Sequence, residues 1–191
     1  MKADRVLLQE KEPFGKIDAP CPYFGTCGGC TLQDLAYADQ LALKQQRLLK
    51  SLGALDPTLA IDVVGLEDPW RYRNKAELTF SEADGQLTLG YHATRSFWRI
   101  VDINDCLLLP ESMSALLRDV RTLAQQTRQP AYNPRTHQGF FRYLLIRASH
   151  TTGKLLVCLI TTQGDRRLIE RLADELMARH PAVMSVYWGV N

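Results

Sequence analysis

Apolar positions along this chain follow two rhythms, one helical and one alternating. From Thr31 to Leu52 they recur at helical spacing, with Ala38, Leu41, Leu48 and Leu52 on one side and Gly53 as the stop. Thr31 and Asp34 outline a weak capping box. The pattern therefore predicts a helix that leaves directly from residue 30, with its N-terminal amides turned toward the loop before it. After Asp56-Pro57 alternation takes over. Short runs rich in β-branched and aromatic residues predict strands at Ala60–Val64, Arg73–Phe80, Leu87–His92 and Phe97–Ile103, with Ala83-Asp84-Gly85 as a hairpin turn. A helix over Met113–Thr127 presents Leu116, Leu117, Val120 and Leu123 on its apolar side. Strands Phe141–Ala148 and Leu155–Thr162 follow, joined by Thr151-Thr152-Gly153, then a helix Arg166–Arg179 and a last strand Val183–Val190. Hairpins interleaved with helices predict an α+β fold, an antiparallel β-sheet with packed helices.

Composition adds little to this picture. At 46% apolar and 23% charged residues the chain can bury an ordinary globular core, and it holds no repeat or low-complexity tract. Residues 1–19 are polar and read as a linker; the boundaries that follow are 20–56 for a cysteine loop and its helix, and 57–191 for the α+β region. The first residues lack the apolar core of a signal peptide, and no run approaches the roughly 18 apolar residues of a membrane helix. The expectation is a soluble cytoplasmic protein with no membrane partner and with reduced thiols. The chain stops straight after an apolar strand, which predicts a fragment of something longer.

Reduced thiols change the meaning of the five cysteines. Cys21, Cys27 and Cys30 fall within ten residues, in Cys-Pro-Tyr-Phe-Gly-Thr-Cys-Gly-Gly-Cys. Gly28 and Gly29 allow the tight turns that bring sulfurs together, and Pro22 stiffens the entry. The spacing differs from the paired Cys-x2-Cys of zinc ribbons, and three clustered thiols with a distant fourth suit an iron–sulfur cluster; zinc stays open as the alternative. Cys106, after the polar turn Asn104-Asp105, lies at a strand-to-loop junction and is the candidate fourth ligand. Cys158 sits in an apolar strand and reads as a small core hydrophobe. The fold thus gains a cysteine-rich iron–sulfur loop.

Charge is informative only by its distribution. The formal net charge is +2, yet residues 118–150 hold six arginines against the single acidic Asp119. Tyr132, His137, Phe140, Phe141 and Tyr143 lie among them, the mixture of cations and stacking surfaces that RNA needs. A second basic knot is Trp70-Arg71-Tyr72-Arg73-Asn74-Lys75. Arg71, Arg73, Lys75 and Arg142 are the candidate RNA contacts.

Taken together, the cysteine motif with Thr31-Leu32-Gln33, the run Tyr72-Arg73-Asn74-Lys75-Ala76-Glu77-Leu78, and Arg99-Ile100-Val101-Asp102-Ile103-Asn104-Asp105-Cys106 resemble the iron–sulfur branch of the RNA 5-methyluridine methyltransferases. Phe141–Arg147 and the terminal Val186–Asn191 are similar to the middle region of that family. The resemblance implies S-adenosylmethionine as methyl donor and a uridine C5 in RNA as acceptor, ribosomal RNA before transfer RNA. It implies a [4Fe–4S] cluster on Cys21, Cys27, Cys30 and Cys106, and makes residues 1–19 a candidate remnant of an N-terminal RNA-binding β-barrel. The nucleophile, general base and cofactor loop of the family lie in a C-terminal Rossmann-like domain. This sequence has no Gly-x-Gly run after a strand, so no catalytic or cofactor-binding residue is assigned and the chain alone is expected to be inactive. Two other classes compete: a free-standing iron–sulfur electron-transfer protein, and a zinc-stabilised RNA-binding module.

Overall fold

The computed structural model describes residues 14–53, 55–56 and 58–191, and within them the alternation in the second half of the chain becomes one six-stranded sheet. The chain divides into two units. One takes the chain up to Phe24 with Cys30–Pro69, and the other takes Gly25–Gly29 with Trp70–Asn191. The N-terminal part of the expected barrel remnant, residues 1–13, lies outside the described residues, as do positions 54 and 57.

In the second unit the strands are β1 (Lys75–Ala83), β2 (Gln86–His92), β3 (Ile100–Asp102), β4 (Phe141–Ala148), β5 (Leu155–Thr161) and β6 (Val183–Val190), with α2 (Glu111–Gln126) and α3 (Arg166–Arg179) between them. Their order across the sheet is β3-β2-β1-β4-β5-β6. All neighbours are antiparallel except β5 and β6, which run parallel because α3 carries the chain back across between them. The β1–β2 hairpin closes through Asp84 and Gly85, both at positive φ (52° and 74°), the geometry of a two-residue type I′ turn.

Period-two burial fixes which side of the sheet is the core. Ala76, Leu78 and Phe80 of β1, Leu144 and Ile146 of β4, and Leu155, Val157 and Leu159 of β5 all turn to one face. There they meet Leu116, Leu117, Val120 and Leu123 of α2 and Ile169, Leu172 and Leu176 of α3. The opposite face carries Lys75, Glu77 and Thr79, then Tyr143, Leu145 and Arg147, then Leu156, Cys158 and Ile160. Cys158 is therefore not part of the helix-covered core, as its apolar surroundings suggested. It pairs across the sheet with Leu145 and Tyr187 on the other side.

In the first unit α1 spans Tyr37–Leu52, six residues later than the apolar rhythm predicts. A tertiary contact overrides the capping signal. Asp34 gives its carbonyl to the Ile17 amide at 2.9 Å, Lys16 bridges to Leu35, and Leu32–Leu35 closes as a turn. Leu35 is buried instead of helical. The apolar side also differs: Leu43 is buried, while Leu48 and Leu52 are exposed. The helix does not start at Cys30, so its amides are not aimed at that thiol. Ala60–Val64 forms no strand; the Ile61 carbonyl is held by the Gln45 side chain at 2.5 Å instead of by a ladder.

Strand β3 is shorter than predicted, because Ala93–Arg99 folds back on itself before pairing can begin, with Arg95 at φ 58°. Gly90 lets β3 lie close. A Cβ there would collide with the Val101 carbonyl oxygen and carbon and with the Asp102 backbone, so no side chain fits. Gly90→Ala should cost about 1–3 kcal/mol by overpacking, and Leu117→Ala about 2–5 kcal/mol by leaving a cavity. Leu48→Ala, on the exposed side of α1, should change the urea midpoint little. Chemical denaturation of the three variants tests that ranking.

Candidate functional site

The Cys106 loop is braced by charge. It follows β3 and ends at α2, where the Leu109 amide donates to the Cys106 carbonyl at 2.9 Å and the Cys106 amide reaches the Ser114 hydroxyl at 3.4 Å. Arg71, in the left-handed region at φ 54°, runs its guanidinium into this loop. It grips both carboxylate oxygens of Asp105 at 2.8 and 3.0 Å and donates to the carbonyls of Cys106 and Leu109 at 3.0 and 2.9 Å. The main chain alongside is zipped to the same loop, Arg71 N to the Leu107 carbonyl and Arg73 N to the Leu108 carbonyl. A fork of this kind gives both charge and direction. From the other side Arg121 of α2 holds Asp102 at 2.6 Å and also reaches the Asn104 side chain, while Arg118 donates to the Asn104 carbonyl at 3.0 Å.

These contacts change how the arginines read. Arg71 was predicted to face RNA, yet its donors are directed inward at Asp105 and two carbonyls. Arg118 and Arg121, counted in the basic segment, also brace the loop. Lys75 pairs with Glu77 at 2.7 Å on the open sheet face, and both stay exposed. Arg142 lies 4.1 Å from the Tyr132 ring centroid and 5.6 Å from that of Tyr143, and donates to the Asn191 carbonyl at 2.7 Å; its Nε is buried without a hydrogen-bond partner. Arg73 stands near Tyr91.

Cys27 belongs to the same unit as Cys106. It bridges to Ala93 just after β2, Gly28 donates to the His92 carbonyl at 2.9 Å, and Thr94 holds the Cys27 carbonyl at 3.2 Å. Gly28 has no room for a side chain against that carbonyl. Tyr91 marks the neighbourhood the two cysteines share. Burial pushes its hydroxyl well above the usual phenol range, and the charges of Cys106 and Cys27 push the same way, with Arg73 partly offsetting them. The hydroxyl is buried, with Arg73 beside it but no hydrogen bond of ordinary geometry. Sequence reasoning missed Tyr91, since an aromatic in a strand carries no sign of what lies beside it.

Cys21 and Cys30 lie in the other unit. The Phe24 amide donates to the Cys21 carbonyl at 3.0 Å, and the Gln33 side chain donates to Cys30 Sγ at 3.1 Å. In the Cys27 loop the Gly29 amide points at Cys27 Sγ at 3.4 Å. None of the five cysteines forms a disulfide. N–H groups aimed at sulfur and a buried hydroxyl beside two thiols fit thiolate ligands. Among the described residues, no group of three His, Cys, Asp or Glu side chains stands together as a metal-ion site. A cuboidal cluster places its own iron and sulfide atoms between its thiolates, which then stand further apart than around a single ion. Burial raises the Cys158 thiol above its ordinary value, which disfavours the nucleophilic thiolate form.

No family model matches the chain. It is 33% identical over 98% of its length to an uncharacterized RNA methyltransferase of Halalkalibacterium halodurans, of which it covers 41%. One from Listeria innocua is 34% identical over 92% of the chain and 39% of the relative, and one from Caldanaerobacter subterraneus is 36% identical over 88% and 38%. The chain thus spans about two-fifths of the length of the relatives it matches. Among solved structures it matches the Pyrococcus abyssi tRNA (uracil-54, C5)-methyltransferase in complex with S-adenosyl-L-homocysteine, with a TM-score of 0.68 and 26% identity over 90% of this chain and 38% of that one.

The Arg71 clamp gives a test in acid. The Arg71 hydrogen bonds hold the Asp105 carboxyl down to about 2, against its ordinary 3.8. A carboxyl depressed on folding stabilises the protein fully above its unfolded value and loses that contribution as pH falls toward its folded one. Arg71→Ala should cost on the order of 1–2 kcal/mol near neutrality, held low by the partial exposure of the pair. The gap from wild type should narrow between pH 4 and 2, read by urea midpoints at each pH. In sequence and in fold the chain is thus similar to RNA methyltransferases along about two-fifths of their length.

Proposed function

We propose that this chain is the RNA-engaging, cluster-bearing portion of an S-adenosylmethionine-dependent RNA uracil-C5 methyltransferase. The observation that carries the reading is the match along nearly the whole chain, in sequence to RNA methyltransferases and in fold to a tRNA uracil-C5 methyltransferase bound to the demethylated cofactor. The substrate is a uridine in RNA, ribosomal RNA before transfer RNA.

Uracil C5 is a poor nucleophile until a thiolate adds at C6, and a base must then remove the C5 proton. This chain supplies neither group. Burial raises the Cys158 thiol, which disfavours its nucleophilic form, and the sequence has no glycine-rich run after a strand for the cofactor. Its part is to hold RNA, with Arg73, Lys75 and Arg142 as backbone contacts. Arg71 belongs with the scaffold, as a positioning residue for the Cys106 loop.

The same reading assigns Cys21, Cys27, Cys30 and Cys106 as ligands of a [4Fe–4S] cluster, supported by the thiols free of disulfides, the N–H donors on Cys27 and Cys30, and the buried Tyr91 hydroxyl. When bound, the cluster supplies a covalent tie between the cysteine loop and the Cys106 segment.

Two measurements test these assignments. Anaerobic reconstitution should give about four irons and four sulfides per chain with a broad visible absorbance, and Cys106→Ser should lose most of it; stoichiometric zinc without iron sinks the cluster. RNA affinity should fall with salt, and each of Arg73→Ala, Lys75→Ala and Arg142→Ala should flatten the log–log slope by about one. Arg71→Ala should leave that slope unchanged. Methyl transfer to rRNA and tRNA transcripts should need a protein of the relatives' full length, and transfer by these 191 residues alone would overturn the assignment of chemistry elsewhere.

A further inference from the structure

The turn that shortens β3 places two aromatic side chains in solvent. Phe97 is 69% exposed and Trp98 55%. Single exposed aromatics are ordinary on protein surfaces, but this pair sits on a braced loop. The Ala93 amide donates to the Arg99 carbonyl at 2.8 Å, Ser96 N to the Ala93 carbonyl at 3.0 Å, and Arg99 N to the Ser96 hydroxyl at 3.1 Å. His92 supports the loop from the sheet. Its ring stacks on Phe97 at 5.3 Å with an interplanar angle of 16°, and its Nδ1 lies 2.8 Å from the Phe97 carbonyl oxygen. Phe97 and Trp98 meet edge to face at 5.1 Å, and the Arg135 guanidinium lies 4.7 Å from the Trp98 centroid.

Charge decides what such a surface fits. Arg95 and Arg99 lie in the same loop and Arg135 stacks above it. None of the three has an ion-pair partner among the described residues. His92 faces Thr79 on the open side of the sheet, 3.4 Å from its hydroxyl, so the platform is continuous with the face that carries Tyr143. Flat π surfaces bracketed by unneutralised guanidiniums suit a ligand that is flat and apolar on its faces and anionic along its chain. That is an unpaired nucleotide of single-stranded RNA.

We infer that Phe97 and Trp98, with Arg135, form a stacking site for an unpaired RNA base, separate from the basic positions already assigned. The inference rests on the RNA reading above and specifies which RNA element is held: a splayed base in a loop or strand, not a duplex. The loop is braced by its own hydrogen bonds and by His92, so the platform is pre-organised and little ordering entropy opposes binding.

Fluorescence anisotropy of the 191-residue protein with a labelled single-stranded oligouridine tests it. Trp98→Ala and Phe97→Ala should each weaken binding on the order of tenfold without changing the salt slope, because no phosphate contact is lost. Arg135→Gln should weaken it and flatten the slope by about one. Neither aromatic variant should alter binding of a duplex of the same length. Unchanged single-strand affinity in both aromatic variants overturns the inference while leaving the RNA reading intact. Trp98-dependent self-association, seen by sedimentation without any effect on RNA affinity, assigns the patch to a protein contact and overturns it too. Failure of the wild-type protein to bind either RNA overturns the RNA reading itself, and the stacking site with it. The substitutions are at exposed side chains, so near-ultraviolet circular dichroism should show the tertiary signal retained.

Discussion

Burial of the sheet by helices on one face only is the constraint from which the second unit follows. Each strand must send alternate residues into α2 and α3, so Leu78, Leu144 and Val157 have no freedom of face. A slip of one residue would drive Glu77, Leu145 and Cys158 into the core. The other face lies outside that core and is mixed, with Lys75, Glu77, Thr79, Tyr143 and Arg147 beside the half-buried Leu145, Leu156, Cys158 and Ile160. A sheet with helices on both sides would have buried those positions. One-sided packing stabilises the unit and leaves the opposite face outside the helix-covered core.

The Cys106 loop adds a second force. Ile103, Leu108 and Leu109 anchor it by burial, and its polar residues are fixed by Arg71, Arg118 and Arg121 acting on Asp105, Asn104 and Asp102. Charged donors were needed because the loop offers carbonyls and carboxylates from several directions, and a guanidinium can serve more than one at once. This explains why a segment rich in arginine need not be a nucleic-acid surface throughout. Part of the basic character predicted for RNA is spent on architecture, while Arg95, Arg99 and Arg135 have no ion-pair partner among the described residues.

The aromatic loop and the thiol loop share a support. Cys27 bridges to Ala93, and Phe97 stacks on His92, so both hang from the end of β2. Tyr91, one residue earlier, turns the other way toward Cys106 and Arg73. Neighbouring residues of one strand thus serve opposite faces, the thiols on one side and the open surface on the other. Gly90 completes the arrangement by letting β3 approach, which sets where the Cys106 loop begins.

Most regular elements were legible in the sequence because period-two and period-3.6 patterns are local: β4, α3 and β6 lie where the rhythm put them. The cysteine motif could be read only as a candidate ligand set, since no metal-ion site stands among the described residues. What the sequence by itself determined was the α+β class, the strand set of the second unit and the candidate ligands. What only the tertiary structure decided was where competing local signals yield. Thr31 and Asp34 promise a helix start, but the Ile17–Asp34 hydrogen bond and the burial of Leu35 delay it to Tyr37. Arg71 looks like an RNA contact until Asp105, 34 positions away in sequence, claims its guanidinium. Phe97 and Trp98 look like strand residues until the turn at Arg95 lifts them into solvent. In each case the deciding partner is distant in the chain, and hydrogen bonding and burial between distant residues are set by the fold, not by the local pattern.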